Sequence, residues 1–81
     1  MVTLYTAPGC NLCDEAEKEL RALALRLEFE VEAVTIKGRP ELEREFGSAV
    51  PVVVIEGYEL VRAPIRPGTL ETRLATALAS R

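Results

Sequence analysis

The sequence predicts an α/β fold, a four-stranded mixed sheet with helices on both faces in the order βαβαββα. Three observations carry this expectation. Leucines and alanines recur at helical spacing between residues 14 and 27, and strand-like segments flank them. The β-branched run Pro51-Val-Val-Val-Ile55 is followed by a Glu56-Gly57 turn and a second strand-like run. Leu70, Leu74 and Leu78 then repeat on one helical face. A strand–helix–strand unit makes its strands parallel, whereas the short turn at Gly57 forces an antiparallel pair, so the sheet is mixed.

Each element has its own local cause. Met1 to Thr6 reads as a strand, and Ala7-Pro8-Gly9 breaks it with a turn. Asp14 to Leu27 reads as a helix whose apolar stripe is Ala16, Leu20, Leu23 and Leu27, with Asp14/Lys18 and Glu17/Arg21 pairs on its wet side. Glu28 to Ala33 alternates, three glutamates on one face and Phe29, Val31 and Ala33 on the other. That pattern predicts a half-exposed strand running on to Ile36, its charges discouraging edge-to-edge pairing. Gly38-Arg39 is a turn, and Pro40 opens a short helix to Phe46 with Leu42 and Phe46 inward and Gly47 as its stop. Pro51 to Ile55 is a buried strand and Tyr58 to Arg62 its hairpin partner. After the loop from Ala63 to Gly68 comes the last helix, with Thr69 as its expected cap.

Composition narrows the function. With 81 residues there is room for one domain, 1–81. The net charge of −3 comes from interspersed acids and bases, so no basic stripe for nucleic acid and no polybasic membrane patch exists. The longest apolar stretch, Ala49 to Ile55, is too short to span a bilayer. The N-terminus leads straight into a strand without the pattern of a signal peptide, which predicts a cytoplasmic protein.

Both cysteines of the chain lie in Cys10-Asn11-Leu12-Cys13, where a strand hands over to a helix. Free backbone N–H groups and the positive end of the helix dipole favour a thiolate at Cys10 there. A structural bond across so short a loop would contribute about 2 kcal/mol at best in the chain-entropy model. Asp14 and Glu15 oppose a thiolate, so its activation is expected to be modest. Asn11 reads as a solvated turn residue, Pro8 as a turn proline, Tyr5 as strand packing, and Arg62 and Arg66 as surface charges. Two alternatives stand beside the redox reading. One is a zinc or iron–sulfur module sharing Cys10 and Cys13 across a dimer, since one chain has two thiolates and no histidine. The other is a redox-silent interaction domain.

Through Leu4-Tyr-Thr-Ala-Pro-Gly-Cys-Asn-Leu-Cys13, and through Phe46-Gly-Ser-Ala-Val-Pro-Val52 with its hairpin, the chain resembles the thioredoxin superfamily. Within it the closest likeness is to small glutaredoxin-like proteins, and it covers essentially all 81 residues. The resemblance implies that Cys10 is the attacking and Cys13 the resolving cysteine. It implies a cis peptide before Pro51, packed beside the active-site disulfide, and substrate pairing to the backbone of Val50. It stops at the glutathione-binding positions. Asn11-Leu12 replaces Pro-Tyr, Thr6 to Gly9 holds no basic residue, Ala49 replaces a threonine, and Leu60-Val-Arg-Ala-Pro64 lacks a Gly-Gly-Asp. The expectation is therefore a monomeric thiol–disulfide oxidoreductase acting on protein disulfides. It needs no cofactor and is recharged by an external thiol reductant or reductase, with glutathione unsupported by the motif. Nucleic acid and membrane are not expected partners.

Overall fold

A computed structural model describes residues 2–47, 49–63, 65–66 and 68–79, with only the backbone of Leu60. The parts expected of Met1 in the first strand, of Ser48 before the third, and of Pro64 and Pro67 in the last loop lie outside the described residues. The elements are β1 (Val2–Thr6), α1 (Asn11–Leu27), β2 (Val31–Thr35), α2 (Pro40–Phe46), β3 (Val52–Ile55), β4 (Tyr58–Arg62) and α3 (Thr69–Ala79).

The sheet is mixed, in the order β2-β1-β3-β4. β1 runs parallel to β2, pairing Val2 with Val31 and Thr6 with Thr35. It runs antiparallel to β3, pairing Leu4 with Val53, and β3 is antiparallel to β4. Glu56 and Gly57 at the hairpin tip have φ of 51° and 84°, the left-handed pair that a two-residue turn with the twist of the strands requires. The ladder then shifts, pairing Val53 with Val61 but Val54 with Glu59, so β4 carries one extra residue.

Alternation along the strands divides the core in two. Val2, Leu4, Val53 and Ile55 point to one face, where Ala16, Leu20 and Leu23 of α1 and Leu70 and Leu74 of α3 cover them. Val52 points to the other, against Phe46 of α2 and Ile36. There the Tyr5 ring stacks on Phe46, centroids 4.8 Å apart. Because both faces are covered, Val52 and Val53 are both buried although they are neighbours. Among the described residues no helix is long and apolar enough to cross a membrane.

The structure moves several expected boundaries. α1 begins at Asn11 rather than Asp14, so Cys10 becomes its cap and Cys13 lies inside its first turn. β2 begins at Val31 rather than Glu28. Glu28 instead takes a left-handed conformation (φ 58°), and the Glu28 and Phe29 N–H groups both reach the Ala24 carbonyl, at 2.9 and 3.3 Å. Closing the helix thus uses the residues that seemed to start the strand. Ala33, expected on the buried face, is exposed on this edge strand. Gly47 ends α2 in a right-handed conformation (φ −49°), so left-handed freedom is not its role. A Cβ at that position would collide with the Glu43 carbonyl oxygen. α3 starts on Thr69 itself, and the cap position falls to Gly68 (φ 84°), whose carbonyl accepts from the Thr72 N–H at 3.1 Å.

Two substitutions test this packing in urea unfolding. Leu20→Ala, at a fully buried site shared by α1 and the sheet, is expected to cost about 2–5 kcal/mol. Gly47→Ala is expected to cost more than about 1 kcal/mol, because the obstacle is backbone and cannot swing aside. A neutral Gly47→Ala would contradict the close approach.

Candidate active site

The candidate site forms where β1 ends. Gly9 turns the chain with φ 72°, and Cys10 follows in an extended conformation as the cap of α1. A helix start leaves four N–H groups without intrahelical partners, and an oxygen-bearing side chain usually caps one of them. Here sulfur does so: the Cys13 N–H donates to Cys10 Sγ at 3.1 Å, and the Asp14 N–H donates to the Cys10 carbonyl at 3.2 Å. Cys10 and Cys13 are joined in a disulfide, with Cα atoms 5.2 Å apart. The two sulfurs differ in access, since Cys13 is only 2% exposed whereas Cys10 is half-buried.

In the reduced state the same N–H and the same helix end would face the Cys10 sulfur, and both favour its anion. Asp14 and Glu15, both exposed on the first turn, act in the opposite direction. The ion pairs among the described residues, Glu17–Arg21, Arg26–Glu71 and Glu59–Arg62, do not involve Cys10. Arg62 is engaged elsewhere: its hydrogen bond to Glu59 holds that carboxyl below the usual range and raises its own pKa. Arg66, Asn11 and Pro8 are exposed, and Tyr5 packs on Phe46. Among the described residues no group of three or more His, Cys, Asp or Glu is placed to hold a metal ion.

Val50 and Pro51 lie beside this turn. The Val50–Pro51 peptide is cis and Pro51 is buried. The Ala63 N–H donates to the carbonyls of both Ala49 (3.2 Å) and Pro51 (3.1 Å), which ties the start of β3 to the end of β4. Among the described residues the N–H and carbonyl of Val50 find no backbone partner, so an open hydrogen-bonding pair lies between those two anchors. A groove of about 130 Å³ brings Leu12, from between the cysteines, and Pro51 together with Ala16, Ala63 and Ile65. Glu15 and Glu19 complete its lining. The structure thus joins the cysteine turn to the Val50-Pro51 segment. Leu12, Glu15, Glu19, Ala63 and Ile65 were not anticipated. Leu12 alone carried a readable signal, a large apolar residue inside the motif that α1 leaves 59% exposed.

A family model described as a glutaredoxin-like domain matches residues 1–78. An uncharacterised protein of Mycobacterium tuberculosis is 33% identical over 63 residues, which cover 72% of this chain and 65% of that relative's length. The crystal structure of a structural-genomics target protein from X. campestris superposes over 100% of this chain and 99% of that one, with a TM-score of 0.71 and 30% identity. Thioredoxin 1 of Thermosipho africanus superposes over 99% of this chain and 98% of its own, with a TM-score of 0.63 at 14% identity, and so shares the fold.

The unequal access of the two sulfurs has a measurable consequence. After reduction, iodoacetamide is expected to label Cys10 well before Cys13, with peptide mapping by mass spectrometry as the readout. Equal labelling rates in the folded protein would contradict the burial of Cys13.

Proposed function

The chain belongs to the glutaredoxin-like domain family, and from that premise we propose that it is a thiol–disulfide oxidoreductase working through Cys10 and Cys13. One observation carries the reading above all: the half-buried Cys10 sulfur is the helix cap and accepts the Cys13 N–H, while its partner sulfur is buried. The Cys10 thiolate attacks one sulfur of a substrate disulfide. A mixed disulfide forms, and the other substrate sulfur leaves as a thiolate and takes a proton. Cys13 then gives up its proton and attacks Cys10 Sγ. The Cys10–Cys13 bond forms, the second substrate thiol is released, and two electrons and two protons have passed from protein to substrate. Solvent cannot readily reach Cys13, which favours this internal attack over escape of the mixed disulfide.

The proposed substrate is a protein disulfide whose chain lies extended along Val50, pairing with its open N–H and carbonyl as an added strand would. No cofactor is needed, and an external thiol reductant or reductase returns the pair to the dithiol. Glutathione has little to bind it, because Thr6 to Gly9 holds no cation and Arg62 is engaged with Glu59. We place the protein in the cytoplasm as a monomer without nucleic-acid or membrane partners. A metal-bridged dimer would have to draw its other ligands from a second chain, and no observation favours it.

Insulin disulfide reduction driven by dithiothreitol tests the reading. Wild type is expected to accelerate it, Cys10→Ser to abolish the acceleration, and Cys13→Ser to trap a mixed disulfide visible by mass spectrometry. Activity indifferent to Cys10 would overturn the proposal.

A further inference from the structure

The groove beside the disulfide has a character that the exchange chemistry does not require. Its floor is apolar, formed by Leu12, Ala16, Pro51, Ala63 and Ile65. Its volume of about 130 Å³ is close to that of a cavity able to hold a benzene ring, so it suits one medium-sized apolar side chain. Along one wall stand Glu15 and Glu19, the charged residues of the lining among the described residues. They lie one helical turn apart on α1, a spacing at which like charges destabilise a helix. Neither makes an ion pair among the described residues, whereas Glu17, on the same helix, is paired with Arg21. The wall is thus a short anionic strip beside an apolar slot that Pro51, the residue after Val50, also lines.

We propose that this groove selects substrate segments in which an apolar residue and a neighbouring arginine or lysine flank the cysteine under attack. The apolar side chain enters the slot, and the cation lies between Glu15 and Glu19. This rests on the dithiol-exchange reading and names the substrate class for it. The same strip repels segments carrying acidic residues there, and it repels glutathione, whose two carboxylates outnumber its single ammonium. The interaction is electrostatic and partly exposed, so it is screened by salt.

Symmetric peptide disulfides test the proposal, with the cysteine preceded by leucine and, before that, by arginine, glutamine or glutamate. Reduced protein in excess gives a single turnover, one peptide disulfide and one protein dithiol yielding two peptide thiols and the Cys10–Cys13 disulfide. Each rate is divided by that of the same peptide with dithiothreitol, which removes differences in its intrinsic reactivity. In low salt the arginine peptide is expected to react about tenfold faster than the glutamate peptide, with glutamine between them. The ratio should approach one near 1 M salt, where the screening length is about 3 Å. In a Glu15→Gln/Glu19→Gln double variant the low-salt ratio should fall within about twofold. Replacing the peptide leucine by serine should slow wild type about tenfold whichever charge accompanies it. A ratio near one in wild type at low salt, with both peptides reduced, would overturn the selectivity and leave dithiol exchange standing. A ratio unmoved in the double variant would overturn the assignment to Glu15 and Glu19. Failure to reduce even the neutral bis(2-hydroxyethyl) disulfide would remove the exchange reading, and this inference with it.

Discussion

A single hydrogen bond organises the candidate site: the Cys13 N–H donating to Cys10 Sγ. It makes a sulfur the cap of α1, at the helix start where half-buried Cys10 is joined to Cys13 on the buried face of the helix. A serine or aspartate cap would satisfy the same N–H. Sulfur does so while standing in the partial positive charge of a helix end, the setting in which a thiolate is favoured. The chemistry proposed for the chain is a consequence of that placement more than of the Cys-x-x-Cys spacing itself.

The rest of the fold holds this junction in place. β1 lies inside the sheet between β2 and β3, and its Val2 and Leu4 are fully buried under α1 and α3. The strand leading to Cys10 is therefore clamped on both edges and on one face, while Tyr5 against Phe46 covers the other. Just ahead of the neighbouring strand β3 comes Pro51, where the Ala63 N–H bridges the carbonyls on either side of Val50. Helix α1 thus supplies one side of the groove, and the segments flanking β3 and β4 supply the other. Among the described residues, Leu12 and the Val50 backbone are open toward a partner.

Much of this was legible in the residues, and the failures have definite causes. The helical stripe from Ala16 to Leu27 and the β-branched run before Ile55 report burial directly, so those elements and the mixed sheet could be read from spacing. Asn11 and Leu12 face solvent and add nothing to the stripe, so the start of α1 at Asn11 was invisible to periodicity. Glu28-Phe-Glu-Val alternates like a strand, yet closing the helix on the Ala24 carbonyl takes Glu28 and Phe29 first. Gly47 looked like a left-handed stop, whereas close approach to the Glu43 carbonyl is what requires it. The groove was beyond reach for a simpler reason. Its floor comes from residues near 12, 16, 51, 63 and 65, and only the folded sheet brings them to one place.

The most direct test of this placement is a pH titration of thiolate absorbance in the fully reduced protein, with Cys10→Ser as the reference. The placement of Cys10 at the helix start predicts that the first thiol to ionise is Cys10, at a pH below the value of about 8.5 for a free cysteine. That step should vanish in Cys10→Ser. A Cys10 that ionised at or above the free-thiol value would contradict the claim that the helix end and the Cys13 N–H prepare this sulfur for attack.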